Sequence, residues 1–134
     1  SYVYDGKIGN YKEDDPVLPW NNYAWSKLGG ECAVQMYKNS LILRVCMTEK
    51  PFVHKKAFAN VKLNFIFHDE MVNMLIKTLD QKGIINIGGP AKTVFEFAKK
   101  YNPNVKKIYN KKNKTNSFPP NPFMNLNKLK KILG

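Results

Sequence analysis

Three observations predict an α/β fold. Leu41-Ile42-Leu43-Arg44-Val45-Cys46-Met47 is a nearly continuous apolar run, the pattern of a strand buried on both faces of a parallel sheet. The stretch before it carries apolar residues at i, i+4 spacing, Ala24, Leu28, Cys32 and Met36, which predicts a helix from an Asn21 or Asn22 cap to about Tyr37. Ser1 to Tyr4 is short and β-favouring and closes on an Asp5-Gly6 turn, so strand, helix and strand follow in the order of a βαβ unit.

Taken in order, the chain starts within that first strand, which is expected to be an edge. Gly6 to Pro19 reads as a solvated polar loop with an acidic patch at Glu13-Asp14-Asp15. Gly29 and Gly30 interrupt the helical stripe; each costs about 1 kcal/mol in a helix interior, so a break or a close backbone neighbour is expected there. After the Asn39-Ser40 turn and the apolar run, Thr48 to Asn64 is irregular and basic. Phe65-Ile66-Phe67 is a short strand, and Asp69 is placed to cap a helix from Glu70 to Leu79 with Met71, Leu75 and Leu79 as its buried stripe. Gly83 to Ile87 is a strand running into the Gly88-Gly89-Pro90 turn, and Thr93 to Glu96 is a capping box opening a helix to about Tyr101. Asn102 to Pro122 reads as loop, and Asn127 as the cap of a last helix from Lys128 to Leu133.

A chain of 134 residues that is 43% hydrophobic and 13% aromatic is long and apolar enough for one domain with a core. Without a long apolar run or a leader pattern, nothing in these residues is expected to span a membrane or direct export, and a cytoplasmic location is expected. Cys32 and Cys46 lack metal-ligand spacing and read as reduced core thiols. The net charge of +12 raises the question of nucleic acid, but Arg44 is the only arginine among 22 basic residues. Arginine is the residue that phosphate-fork and base-edge recognition favour. The seven lysines between Lys99 and Lys114, interleaved with asparagine, therefore read as a solvated face rather than a nucleic-acid site.

The candidate chemistry lies in Tyr23-Ala24-Trp25-Ser26-Lys27. On a helix, Tyr23 and Lys27 share a face with about 6 Å between their β-carbons. A free phenol titrates near 10, and a neighbouring ammonium favours the phenolate, which is what a tyrosine needs to trade protons at neutral pH. With seven tyrosines and lysine at roughly one position in six, about one Tyr-x-x-x-Lys arises by chance, so the weight lies in its surroundings. Glu31, four residues past Lys27, offers Lys27 an ordinary surface ion pair instead. His54 and His68 have neither a metal-ligand partner nor a presented nucleophile and read as surface or packing residues; no metal site is expected.

Those surroundings form an ordered series. It runs from Ser1-Tyr2-Val3-Tyr4-Asp5-Gly6 through Tyr11-Lys12-Glu13-Asp14-Asp15-Pro16-Val17 to Tyr23-Ala24-Trp25-Ser26-Lys27-Leu28 with Glu31. It continues through Leu43-Arg44, Phe65-Ile66-Phe67-His68-Asp69 and Ile85-Asn86-Ile87-Gly88-Gly89 to Asn125-Leu126-Asn127-Lys128-Leu129. In this order and spacing the chain resembles the C-terminal half of an extended short-chain dehydrogenase/reductase, and within that class the dTDP-4-dehydrorhamnose reductase family. The resemblance implies the C-terminal part of a Rossmann-type parallel sheet plus a small α/β substrate-binding portion. Residues 1–47 would carry the Tyr-x-x-x-Lys helix of the Rossmann-like part, and 48–134 the substrate-binding and C-terminal part.

The same resemblance implies NADP or NAD as cofactor and a keto group on a nucleotide-linked sugar as the group reduced. Tyr23 would protonate the keto oxygen, and Lys27 would assist it and hold the nicotinamide ribose. The backbone at Val45 and Cys46 would lie near the nicotinamide. Asp69 matches an acidic helix cap of structural rather than catalytic use. No glycine-rich phosphate turn occurs in these residues, and the family's catalytic serine or threonine falls just before Ser1. The chain is therefore expected to be a fragment that works with a nucleotide-binding half in the same chain or on a complementing one. A homodimer is compatible with this reading. Thr48 to Asn64 is shorter than the family's usual link, so the substrate pocket is expected to be reshaped. Two alternatives stay open: an epimerase or dehydratase using the same pair, and a non-catalytic binding or regulatory subunit on the same scaffold.

Overall fold

A computed structural model describes residues 1–111 and 118–134. The apolar run forms β1 (Leu41–Val45), followed at once by β2 (Met47–Thr48). β1 pairs in parallel with β6 (Gly83–Ile87), Leu41 opposite Gly83 and Val45 opposite Ile87, and β2 pairs in parallel with β5 (Ile66–Phe67). Cys46 joins the two ladders: its N–H donates to the Ile87 carbonyl at 3.0 Å and its carbonyl accepts from Ile66 at 3.3 Å. Parallel pairs need crossovers, and α2 (His68–Thr78) forms the last part of the one from β1 to β6, joining β5 to β6. Ile66, Ile85, Ile87 and Leu129 form the apolar centre of this layer, with Met71 and Met74 of α2 packed on it.

A second cluster holds the rest together. α1 (Asn22–Gln35) begins at Asn21, whose Oδ1 accepts from the Ala24 N–H at 2.7 Å, one of the two caps expected. β3 (Lys56–Phe58) and β4 (Lys62–Leu63) precede β5, and β7 (Lys92–Thr93) follows β6 and pairs antiparallel with β4. α3 (Val94–Tyr101) opens on the predicted capping box, with Thr93 Oγ1 accepting from Glu96 and the Glu96 carboxylate accepting from the Thr93 N–H at 2.8 Å. β8 (Lys106–Ile108) lies parallel to β3, and α4 (Asn127–Leu133) closes the described chain against β6. Val3, Tyr4, Phe52, Val61, Leu63, Ala98 and Met124 are buried in this cluster.

Several local expectations are corrected. Ser1 to Tyr4 is a turn, with the Tyr4 N–H on the Ser1 carbonyl, and not a strand. The parallel order is made by β1 and β6 instead. Thr48 to Asn64 is not wholly irregular, since β2 ends there and β3 and β4 lie within it, and β8 adds a strand to the stretch read as loop. These strands are two or three residues long, too short for an alternation to register. Part of that loop, 112–117, lies outside the described residues.

Gly29 and Gly30 neither break α1 nor meet a neighbour; a Cβ at either would face open space. Within α1 only Ala24 and Glu31 are buried, so Cys32 and Met36 are exposed and the predicted apolar stripe is not its core face. α2 starts two residues earlier than expected. Its first turn is closed by the Glu70 carboxylate on the Phe67 N–H at 2.9 Å rather than by Asp69, and Leu79 is exposed while Thr78 is buried. Asn125, not Asn127, supplies the side chain before α4, accepting from the Asn127 N–H.

Candidate active site

Asn21 fixes where α1 starts, and with it the face on which Tyr23 and Lys27 stand. The two side chains meet: the Lys27 ammonium lies 5.3 Å from the centre of the Tyr23 ring. Glu31 is not Lys27's partner. It turns inward and pairs with Arg44 of β1 at 2.8 Å, both side chains buried. Lys27 is thereby left beside the phenol.

A cavity of about 540 Å³ opens between this face of α1 and β1. Tyr23, Lys27, Gly30 and Val34 line it from the helix, Leu41 to Met47 from the strand, and Ser1 to Val3 from the leading segment. All four residues singled out from the sequence, Tyr23, Lys27, Val45 and Cys46, therefore border one space. The Cys46 N–H is spent on Ile87, so what Cys46 offers the cavity is its thiol, and burial pushes that thiol up, away from thiolate. β1 is paired on one side only among the described residues, and its other edge faces this cavity.

Tyr2 is the second phenol at the site. Its ring meets Tyr23 edge-on at 5.9 Å and also contacts Trp20 and Phe118. Burial, with smaller contributions from Cys46 and Tyr23, pushes it up to about 12, so it stays protonated at neutral pH and cannot act as a base there. Tyr23 is 56% exposed and reaches the solvent side of the cavity.

Sequence reasoning missed the polar network behind the site. Arg44 donates from Nε to Glu31 at 2.9 Å and from one terminal nitrogen to the Tyr4 hydroxyl at 2.8 Å and the Glu13 carbonyl at 3.0 Å. The Tyr4 hydroxyl donates in turn to Asn86 Oδ1 at 2.8 Å. Asn86 Nδ2 donates to the Tyr11 carbonyl, and the Asn86 N–H donates to the Glu13 carboxylate at 3.0 Å. The loop read as a solvated acidic patch thus sends Glu13 to the end of the sheet. Arg44 holds its proton more firmly than usual: burial acts against the charge, but Tyr4 and Glu31 outweigh it. One signal was available, since the chain's sole arginine stands inside an apolar strand, where a charge needs a partner.

Among the described residues no cluster of three or more metal-ligating side chains occurs, and no helix is long and apolar enough to cross a membrane. Both cysteines are free thiols; Cys46 is buried as expected, whereas Cys32 is exposed.

A helix bearing Tyr-x-x-x-Lys, laid beside the end of a parallel strand in a Rossmann-like α/β layer, defines the class of extended short-chain dehydrogenase/reductases. Residues 1–84 match the model of the RmlD substrate binding domain, and the chain belongs to that family. Among solved structures it is similar to a hypothetical dTDP-4-dehydrorhamnose reductase from Sulfolobus tokodaii, with 27% identity and a TM-score of 0.82 over 99% of this chain and 56% of that one. It is also similar in fold to dTDP-4-dehydrorhamnose reductases from Clostridium acetobutylicum (19% identity, TM-score 0.79, 96% and 55% covered) and from Bacillus anthracis. The last was solved in complex with NADP (20% identity, TM-score 0.77, 96% and 55% covered). No curated protein matches. The chain spans just over half the length of these solved relatives.

Proposed function

We propose that this chain is the C-terminal part of an NAD(P)-dependent reductase acting on a 4-keto sugar carried by a nucleotide, and that the nucleotide-binding half is supplied in the same polypeptide or by a complementing one. The observation that carries the reading is the shared cavity of Tyr23, Lys27 and the Val45–Cys46 strand end, on a chain of the RmlD substrate binding domain family. Residues 1–47 form the Rossmann-side part on this reading, and 48–134 the substrate-binding and C-terminal part.

The cavity's volume lies within the range of small-ligand sites. Its apolar strand wall at Leu43, Val45 and Cys46, with a cation at Lys27, fits the nicotinamide end of a dinucleotide; the phosphate and adenosine ends find no glycine-rich turn in these 134 residues. The dinucleotide, when bound, supplies the hydride. Tyr23 donates the proton that neutralises the oxygen as its carbon is reduced, because an alkoxide forming in a cavity with apolar walls needs a hydrogen-bond donor in place. Lys27, touching the Tyr23 ring, keeps a positive charge next to the phenolate left behind. Tyr2, which stays protonated, walls the other side of Tyr23 and limits the directions its ring can take.

The test is Tyr23→Phe in the complete protein, with turnover of 4-keto nucleotide sugars and cofactor binding measured side by side. Turnover is expected to fall at least about a hundredfold, the scale of a lost general acid, with cofactor affinity within about twofold of wild type. Near-normal turnover removes the assignment. Product analysis separates reduction from epimerisation or dehydration, which would use the same pair.

A further inference from the structure

We propose that Arg44 is a positioning residue for this site: by holding Glu31 it sets the pose of α1, and so of Tyr23 and Lys27, against the Val45–Cys46 end of β1. The proposal rests on the reading that Tyr23 and Lys27 carry the proton transfer.

The geometry that leads to it begins with how little else fastens α1. Of its 14 residues only Ala24 and Glu31 are buried, and Leu28 between them is half-buried against the core. Ala24 sits beside the N-cap and Glu31 two turns later, and Tyr23 and Lys27 lie next to and between these two anchors. The first anchor is a methyl group and a cap. The second is an ion pair, with two Arg44 nitrogens on one Glu31 oxygen at 2.8 and 2.9 Å. Arg44 itself cannot shift, because its remaining terminal nitrogen is held by the Tyr4 hydroxyl and the Glu13 carbonyl, and its guanidinium lies 5.0 Å over the Tyr4 ring. Tyr4 is fully buried and bonded to Asn86 of β6. The chain of contacts thus runs from the sheet, through Tyr4 and Arg44, to the far end of the helix face that bears the site.

Buried ion pairs contribute little net stability against well-packed apolar substitutes, and their best-attested use is to fix one register among several. That fits a pair joining a thinly anchored helix to a strand. A displacement of about 1 Å at a reacting group can cost about a hundredfold in rate, so a loosened second anchor should be read in turnover more than in binding.

The experiment compares Arg44→Lys, Arg44→Met and Glu31→Gln with wild type in the complete protein. It measures kcat and KM for a 4-keto nucleotide sugar, cofactor affinity, and the through-space contact between the labelled rings of Tyr2 and Tyr23, whose centres lie 5.9 Å apart. Arg44→Met is expected to lower kcat about a hundredfold while KM and cofactor affinity stay within about threefold, and to weaken the ring contact. Arg44→Lys, which keeps the charge but not the fork, is expected to recover part of kcat, and Glu31→Gln to fall between them. If Arg44→Met does not fold, the other two variants carry the comparison. A folded variant with kcat within about twofold of wild type and the ring contact intact overturns the proposal. Should Tyr23→Phe keep its turnover, the reductase reading falls, and the ring contact alone then decides whether Arg44 sets the pose of α1.

Discussion

Asn64 shows how much a single buried side chain does in this fold. It is 1% exposed; its Nδ2 donates to the Gly89 carbonyl at 3.0 Å and the Met124 carbonyl at 3.3 Å, and its Oδ1 accepts from the Met124 N–H at 2.6 Å. One amide therefore ties the segment entering β5 to the turn after β6 and to the stretch before α4. Truncation would strand a buried N–H and two carbonyls, so Asn64→Ala should lower the unfolding free energy by about 3 kcal/mol. Asn104, exposed and donating its backbone N–H to Asn102 Oδ1, a bond that does not use its own side chain, supplies the control, and Asn104→Ala should change it by no more than about 0.5 kcal/mol. Denaturant unfolding measures both. A loss below about 1 kcal/mol for Asn64→Ala would mean that the three segments find other partners. Neither this role nor that of Asn86 can be read from the chain itself, where asparagine is abundant and its commonest use is in turns.

At the scale of elements, glycine separates two situations that look alike in the sequence. A Cβ on Gly88 would lie 2.6 Å from the Asn64 Cβ and 2.7 Å from its carbonyl oxygen, whereas one on Gly29 would meet nothing within 4 Å. Gly88→Ala should therefore cost about 2 kcal/mol through overpacking, and Gly29→Ala should add about 1 kcal/mol to the 134-residue chain by favouring the helix. Opposite signs in thermal unfolding are the expected result, and equal signs would contradict the packing just described. The elements legible beforehand were those with a local signature: the apolar run of β1, the Asn21 cap of α1, the capping box of α3, and Gly83 to Ile87. The Tyr23–Lys27 pair was legible for the same reason, since helical spacing alone places the two side chains together. What stayed hidden depends on distant partners. The two- and three-residue strands exist because Lys56–Phe58 finds Lys106–Ile108 and Met47–Thr48 finds Ile66–Phe67. The buried face of α1 was misjudged because a carboxylate, Glu31, is buried in place of Cys32 and Met36, and only Arg44 makes that tolerable.

On the scale of the whole molecule, one side is well covered and the other is not. α4 packs on β6 and α2 on β2, β5 and α4, while the second edge of β1 borders an open cavity, and α1 with its C-cap leaves Tyr23, Trp25, Val34 and Met36 exposed, Met36 at 89%. A strand edge with unpaired peptide groups beside exposed apolar side chains invites pairing with another chain. The proposed function gives this face two occupants: the nucleotide-binding half, whose sheet would continue from the Leu41–Ile42 start of the β1 edge, and the dinucleotide, whose nicotinamide end would take the space at Leu43, Val45, Cys46 and Lys27. The 134-residue chain alone should then self-associate as its concentration rises from micromolar towards millimolar, despite its charge of +12. Joined to that half, it should sediment as a species of fixed mass over the same range. Sedimentation velocity at several concentrations distinguishes the two. A 134-residue chain that stays monomeric throughout would mean that the β1 edge is protected within these residues, and a complementing half would no longer be needed to explain the open face.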